Sequence, residues 1–219
     1  MKKMWSGCIW FLVALSVMLL SPDEPARAQS YQYVTQWGSS YTPVGELAYP
    51  NWVAVDATGN VYVVDFGKTN VMKFSSTGTW ITQWGTKGDG NGQFESPRGI
   101  AVDKSGNVYV VDDQLNRVQK FTASGAFVLK WGTQGSDDGE FNAPIGIALD
   151  AAGNVYVTDT GNNRIQKFTT NGIFIAQWGT FGTADGEFSN PQGIAVDATG
   201  HVYVTDSGNS RVQKFNANG

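Results

Sequence analysis

A unit of 47 residues is repeated four times along this chain of 219 residues, with no insertion between units. The dipeptide Trp-Gly begins at residues 37, 84, 131 and 178, and the tripeptide Val-Tyr-Val begins at residues 61, 108, 155 and 202. The dipeptide Lys-Phe and a single proline keep the same spacing. Such a fixed period predicts that each unit is one supersecondary structure, which buries its apolar surface only by stacking on its neighbours.

Each unit is predicted to form four short β-strands, and the third unit illustrates the pattern. Its strands are Gly146–Leu149, Val155–Thr158, Arg164–Phe168 and Ile173–Trp178, separated by turns rich in Gly, Asn and Asp. The second strand is apolar on both faces, so neighbouring units must cover both sides. Periods of about 40–50 residues with four strands are typical of β-propeller blades. A solenoid is the alternative, although solenoids require atypical units at their ends.

The two ends of the repeat favour a closed ring. The last unit stops at Gly219, just before its fourth strand, and residues 32–37 match that strand. The sequence therefore predicts an all-β fold, a β-propeller of four 47-residue, four-stranded blades closed by the N-terminal strand. The alternatives are an open arc and a part of a larger ring.

Residues 1–28 are predicted to be a secretory signal peptide. Lys2 and Lys3 precede an apolar run of 13 residues, and Ala26-Arg27-Ala28 forms a small-x-small cleavage site. The run is too short for a membrane anchor. The propeller is then expected in residues 29–219, with repeats starting near 36, 83, 130 and 177. We expect a periplasmic or extracellular protein with no membrane anchor after cleavage.

The composition restricts the chemistry of the exported chain. Cys8, the single cysteine, lies in the predicted signal peptide, and His201 is the single histidine. We therefore predict no disulfide, no catalytic transition metal and no cofactor, because zinc sites need several Cys or His ligands. The net charge of −4 for the whole chain weighs against nucleic acid as a partner.

The pattern shared by the units is Pro-x-Gly-Ile-Ala-Val-Asp-x-x-Gly-Asn-Val-Tyr-Val-x-Asp, then Asn-x-Arg-Val-Gln-Lys-Phe, and it is almost unbroken in Pro97–Asp112 and Pro191–Asp206. On this pattern the repeat resembles the NHL repeat family. The resemblance covers essentially all of residues 32–219. It implies a β-propeller, most often with six blades, and functions that include protein and RNA binding, extracellular sensing and, in a minority, lyase activity. The related lyases use several histidines.

Residues shared by the units are interpreted as structural. Each second strand ends in an aspartate, at Asp65, Asp112, Asp159 and Asp206. We expect these carboxylates to accept backbone N–H bonds and to pair with the arginine five residues later, at Arg117, Arg164 and Arg211. The Asp-Gly loops lack the spacing of an EF-hand calcium site, so their aspartates are expected to stabilise turns. His201 replaces an asparagine in such a turn.

Binding is expected where the units differ, in loops at one end of the propeller near the central channel. The candidate binding residues follow the repeat prolines or lie in the turns between second and third strands: Asn51, Trp52, Phe66, Lys68, Arg98, Asp113, Leu115, Ile145, Asn162, Gln192 and Asn209. Exposed aromatic and arginine side chains commonly anchor interfaces. The alternative is that these loops vary without a role and that Trp52 only fills space beside the irregular first loop.

These observations predict a secreted or periplasmic, non-catalytic scaffold that binds a protein, peptide or glycan through this loop face. If the ring is incomplete, self-association is a further expectation. The alternative is an enzyme of the propeller lyase or hydrolase kind. Nucleic-acid binding is disfavoured by the negative charge and by export.

Export should remove the first 28 residues. Mass spectrometry of the exported protein is expected to give an N-terminus near Gln29, because the cleavage site ends at Ala28. A membrane-bound product that retains Met1 would contradict the signal-peptide assignment.

Overall fold

A computed structural model describes residues 33–38 and 45–219 of the chain. Contacts divide the chain into two units, Met1–Thr35 and Gln36–Gly219, and every described strand lies in the second. Of the first unit only residues 33–35 are described, without strand structure, and Tyr33 and Val34 are exposed. The predicted signal peptide lies outside the described residues. No described helix is long and apolar enough to span a membrane.

The described strands form four antiparallel sheets, one for each repeat unit. The first sheet contains β1 (Pro50–Val55), β2 (Val61–Asp65), β3 (Asn70–Phe74) and β4 (Trp80–Trp84). The second contains β5 (Pro97–Val102), β6 (Val108–Asp112), β7 (Arg117–Phe121) and β8 (Phe127–Trp131). The third contains β9 (Pro144–Leu149), β10 (Val155–Asp159), β11 (Arg164–Phe168) and β12 (Phe174–Trp178). The fourth contains β13 (Pro191–Val196), β14 (Val202–Asp206) and β15 (Arg211–Phe215).

This arrangement confirms the all-β propeller and one blade per repeat. Strands follow their order in the sequence across each sheet, and 3-10 turns at Thr160–Asn162 and Ser207–Asn209 join the second and third strands of the last two blades. Three blades have four strands, and the last has three within the described residues. Residues 33–38 are not assigned to a strand, so ring closure by the N-terminal segment stays a prediction.

The first strand of each blade is the innermost, and the core lies between blades. β1 packs against β5, β5 against β9, and β9 against β13. Apolar clusters fill the three spaces between successive blades. All residues of β6 and β10 are buried, as expected for second strands that are apolar on both faces. In contrast, fourth strands alternate between half-buried and exposed residues, so they form the outer edge.

The shared Lys-Phe and Trp-Gly positions join one blade to the next. The ammonium groups of Lys120 and Lys167 donate to backbone carbonyls in the following blade at 3.1 and 2.9 Å. The ring of Trp84 lies 5.9 Å from that of Phe121 in the second blade. The same ring covers Gly125, where a Cβ would approach it to 2.6 Å. The glycine is therefore required for the tryptophan to reach the neighbouring blade.

Replacing that glycine should weaken blade packing. Gly125→Ala is expected to lower the free energy of unfolding by about 1–3 kcal/mol through the clash with Trp84. Gly139→Ala is the matched control, because Gly139 has a similar φ of +83° against +87°, but a Cβ added there would meet no atom within 4 Å. The melting temperature of Gly125→Ala should be lower than that of Gly139→Ala by at least about 3 °C. Equal melting temperatures would contradict the packing account.

Candidate binding site

The base of the candidate face is built by the aspartates that end the second strands. Asp65 accepts backbone N–H bonds from Ala48 at 2.6 Å and Tyr49 at 2.9 Å. Asp112 accepts the equivalent bonds from the backbone of residues 95 and 96, both at 3.0 Å. Each carboxylate thus holds the loop that enters the first strand of its own blade, which confirms the structural role predicted for it.

The predicted aspartate–arginine pair forms in the last two blades. Arg164 Nε donates to Asp159 at 2.7 Å, and Arg211 Nε donates to Asp206 at 2.8 Å. Burial raises the pKa of Asp206, but hydrogen bonds from Ser189 N–H and from the side chains of Asn209 and Arg211 outweigh it, so the pKa is lowered overall. This carboxylate therefore stays charged and stabilises the fold through its pair with Arg211.

The second blade departs from that pattern. Asp112 and Arg117 are paired across the strands, but no salt bridge joins them among the described side chains. Arg117 donates instead to loop carbonyls, including that of Asp89 at 2.6 Å. Burial raises the pKa of Asp112, although N–H bonds and the charge of Arg117 oppose the rise. The arginine here secures the Gly-rich loop rather than the carboxylate.

Three candidate residues meet at one place on the face. Arg98 Nε donates to Asp113 Oδ2 at 2.8 Å, and the guanidinium carbon of Arg98 lies 4.8 Å from the centre of the Phe66 ring. Tyr49 packs edge-on against Phe66, with ring centres 6.0 Å apart. Phe66 belongs to the first blade and the ion pair to the second. The sequence predicted that both loop types share one end of the propeller, and these contacts confirm it.

The cluster is partly open to solvent. The side chain of Arg98 is 33% exposed and that of Asp113 is 14% exposed. Asp113 Oδ1 is buried without a hydrogen-bond partner in the described part of the chain. The guanidinium is held by an ion pair and by an aromatic face, so it is already oriented before any ligand arrives.

This cluster occurs once among the four repeats. The position of Arg98 is occupied by Asn51, Ile145 and Gln192 in the other blades, and the position of Asp113 by Phe66, Thr160 and Ser207. In the third blade Thr160 donates through its hydroxyl to the carbonyl of Pro191 at 2.7 Å. In the third blade, a hydrogen bond between blades therefore takes the place of the ion pair.

Four other candidates have contacts within the fold. Asn162 and Asn209 each donate from the side-chain amide to a carbonyl of the preceding loop and to the aspartate that ends the second strand, at 2.8–2.9 Å. Lys68 is exposed, and its ammonium donates to the carbonyl of Glu46 at 2.7 Å. Leu115 is half-buried, and its N–H approaches Asp112.

Trp52 is placed differently from the exposed anchor that the sequence suggested. It is half-buried and packs against the apolar cluster between the first two blades. Trp52 therefore contributes to the packing between these two blades. Asn51 is exposed, while Ile145 and Gln192 are half-buried. The carbonyl of Gln192 accepts a hydrogen bond from Thr158 at 2.9 Å, which again joins two blades.

A cavity of about 530 Å³ lies at the opposite end of the strands, where sequence reasoning assigned no binding role. Turns between the first and second strands of the last three blades line it, with Lys104, Asp150 and Asp197 among the lining residues. Burial raises the pKa of Asp150, but bonds from Asn154, Tyr156 and the backbone outweigh it and lower the pKa overall. In the sequence, each of these turns is explained by the repeat as an Asp- and Gly-containing turn between two strands. No sequence signal therefore indicated that three of them line one cavity.

His201 lies in one of these turns, as predicted. Its backbone N–H donates to Asp197 Oδ1 at 3.0 Å, and its ring Nδ1 lies 3.1 Å from Asp197 Oδ2. Within residues 33–38 and 45–219, no three His, Cys, Asp or Glu side chains are grouped to hold a metal ion. The histidine therefore stands in for the asparagine of the other turns.

Two family descriptions match parts of the chain. The family described as NHL repeat matches residues 141–168 and 188–215, which lie in the third and fourth repeats. A family described as a 6-bladed beta-propeller matches residues 53–130 in the first two repeats. A search of curated proteins found no match. Together the two descriptions cover parts of all four blades.

Several solved structures share the fold. A nidogen/laminin complex is 24% identical, with a TM-score of 0.60 over 77% of this chain and 60% of that one. A streptogramin B lyase is 15% identical, with a TM-score of 0.58 over 76% and 54%. A protein of unknown function from Bacteroides thetaiotaomicron is 21% identical, with a TM-score of 0.60 over 75% and 46%. The match thus spans about half to three fifths of these chains, and at such identities it establishes the fold.

The buried Arg164 and the partly exposed Arg98 should respond differently to substitution. Arg164→Met leaves the carboxylate of Asp159 buried without its cation, so we expect the free energy of unfolding to fall by about 3 kcal/mol or more. Arg98→Met removes a partly exposed ion pair and should cost about 1 kcal/mol or less. Chemical denaturation of both variants measures the difference. If both variants lose a similar free energy of unfolding, the assignment of a structural role to Arg164 and not to Arg98 is wrong.

Proposed function

We propose that this chain, an NHL-repeat β-propeller, is an exported, non-catalytic scaffold that binds a protein, peptide or glycan through the face around Arg98. The observation that carries the proposal is the contact of Arg98 with Phe66 and Asp113, which occurs in one blade interface and in no other repeat. A fold built from repeated units gains an individual binding site only where the units differ. The sequence features of residues 1–28 support export.

The geometry favours an acidic group on the partner. Arg98 Nε is engaged by Asp113, while its terminal nitrogens form no hydrogen bond to other described residues. Such a guanidinium edge can form two parallel hydrogen bonds with a carboxylate. The neighbouring rings of Tyr49 and Phe66 offer apolar contact beside it. An arginine flanked by aromatic side chains has the composition of an interface hot spot.

The carboxylates of the described blades support recognition rather than turnover. Asp65, Asp112 and Asp159 are buried and hold loops by accepting N–H bonds. The single histidine, His201, is bonded within a turn. The enzyme alternative rests on the fold likeness to the streptogramin B lyase, at 15% identity. The resemblance to related lyases implies several histidines, and this chain has one.

Affinity capture with three baits tests the proposed face. The exported protein and its Arg98→Ala and Lys104→Ala variants are immobilised and exposed to envelope and extracellular material. We expect a partner that the unmodified protein and Lys104→Ala retain and that Arg98→Ala loses. Titration of that partner should show binding weakened by about 1 kcal/mol or more for Arg98→Ala, as for other truncated arginine anchors.

Lys104→Ala is the control for the opposite end of the propeller. Lys104 is exposed, lines the cavity there and donates to the carbonyl of Ala151 at 3.0 Å. Loss of the partner with Lys104→Ala and retention with Arg98→Ala would place binding at that cavity instead. Equal retention by all three baits would also contradict a site around Arg98.

A further inference from the structure

The charged candidate residues on the loop face all lie in the first two blades. The turn between β2 and β3 carries Lys68, the residue after Pro97 is Arg98, and the turn between β6 and β7 carries Asp113. The equivalent positions in the third and fourth blades hold only neutral residues: Ile145, Thr160, Asn162, Gln192, Ser207 and Asn209. A partner that recognises charge in these loops therefore binds where the first and second blades meet.

This junction has a surplus of positive charge. Asp113 Oδ2 lies 2.8 Å from Arg98 Nε and offsets the charge of that guanidinium. Lys68 is exposed, and its ammonium donates to the backbone carbonyl of Glu46 at 2.7 Å. A neutral carbonyl leaves the charge of Lys68 uncompensated. The three side chains together carry one net positive charge, so the junction favours an anionic group.

The part of Arg98 that remains open is the edge formed by its two terminal nitrogens. The guanidinium contacts Asp113 through Nε alone, and Asp113 Oδ1 has no hydrogen-bond partner among the described residues, so the pair has one hydrogen bond rather than two. A carboxylate on the open edge would form two parallel hydrogen bonds. A phosphate is disfavoured there, because it brings a second negative charge close to Asp113.

The aromatic residues beside this edge fit an apolar side chain better than a sugar ring. The guanidinium carbon of Arg98 lies 4.8 Å from the centre of the Phe66 ring, so it covers a face on which a sugar would stack. Tyr49 meets Phe66 edge-on, with an angle of 65° between the ring planes. Rings in this arrangement pack well against a further aromatic or aliphatic side chain.

The Gly-rich loops at the same end of the blades limit how acidic the partner is. Residues 85–96, 132–143 and 179–190 contain seven acidic residues and one lysine. That lysine, Lys87, is paired with Glu95 at 3.0 Å. These loops repel a run of acidic residues or a nucleic-acid backbone. A single carboxylate held at Arg98 avoids most of this repulsion, since salt screens exposed charges that are more than about 10 Å apart.

We propose that the face around Arg98 binds a short peptide segment of a partner protein in which one aspartate or glutamate adjoins an aromatic or aliphatic residue. The carboxylate binds the terminal nitrogens of Arg98, attracted also by Lys68, and the apolar side chain packs against Tyr49 and Phe66. This partner chemistry rests on the proposed function and specifies which protein segments the site selects.

Peptide display tests the proposal separately from the proposed function. Random heptapeptides displayed on phage are selected on the immobilised exported protein and depleted on its Arg98→Ala variant. We expect the recovered peptides to share one acidic residue next to an aromatic or aliphatic residue. Recovery of peptides without an acidic residue, or of none that depends on Arg98, would overturn the proposal. A partner that depends on Arg98 in affinity capture would then still support the proposed function.

Synthetic versions of a recovered peptide test the contact on the unmodified protein, so the result does not depend on how a variant folds. Replacing the acidic residue of the peptide by its amide should weaken binding at least about tenfold, because a charge-assisted pair is lost. Phosphoserine at that position should not restore it. Arg98→Lys should weaken binding of the acidic peptide, because lysine lacks the planar pair of donors, whereas the control Lys104→Ala should bind it unchanged. Equal affinity for the acid and the amide, or tighter binding of phosphoserine, would contradict carboxylate recognition.

Discussion

The whole fold depends on covering both faces of the second strand in each blade. In β6 and β10 every residue is buried, so the apolar tripeptide Val-Tyr-Val contacts a blade on either side. An isolated blade could not bury this strand, because a single sheet has only its own residues to offer. The stability of each blade is therefore linked to its neighbours, as in other repeat proteins whose units contact mainly the next unit.

The polar residues of the repeat serve this stacking in two ways. Aspartates at the ends of second strands hold the loops, while lysines of the third strands reach across to the next blade. These groups recur in each unit because each interface needs them. The residues that differ between units lie outside these repeated contacts, and Arg98 is one of them. Its ion pair with Asp113 lies on the loop face and outside the apolar clusters.

The same requirement explains the difference between inner and outer blades. β14 has the sequence pattern of β10, yet Thr205 is exposed where Thr158 is buried. Nothing in the repeat itself distinguishes these two strands; only the presence of a following blade does.

The repeat determined the fold class, the strand order and the structural aspartates, because a 47-residue period fixes which residues lie at equivalent places. It also predicted that Arg98 and Asp113 share one end of the blades, since Arg98 lies at the start of β5, Asp113 follows the end of β6, and these two strand ends meet in an antiparallel sheet. Distances across blades depend on packing, and the sequence could not give them. Only the tertiary structure therefore brought Phe66 onto Arg98, packed Trp52 against the apolar cluster between two blades, and formed the cavity beside Lys104. Each of these contacts joins residues of different repeats.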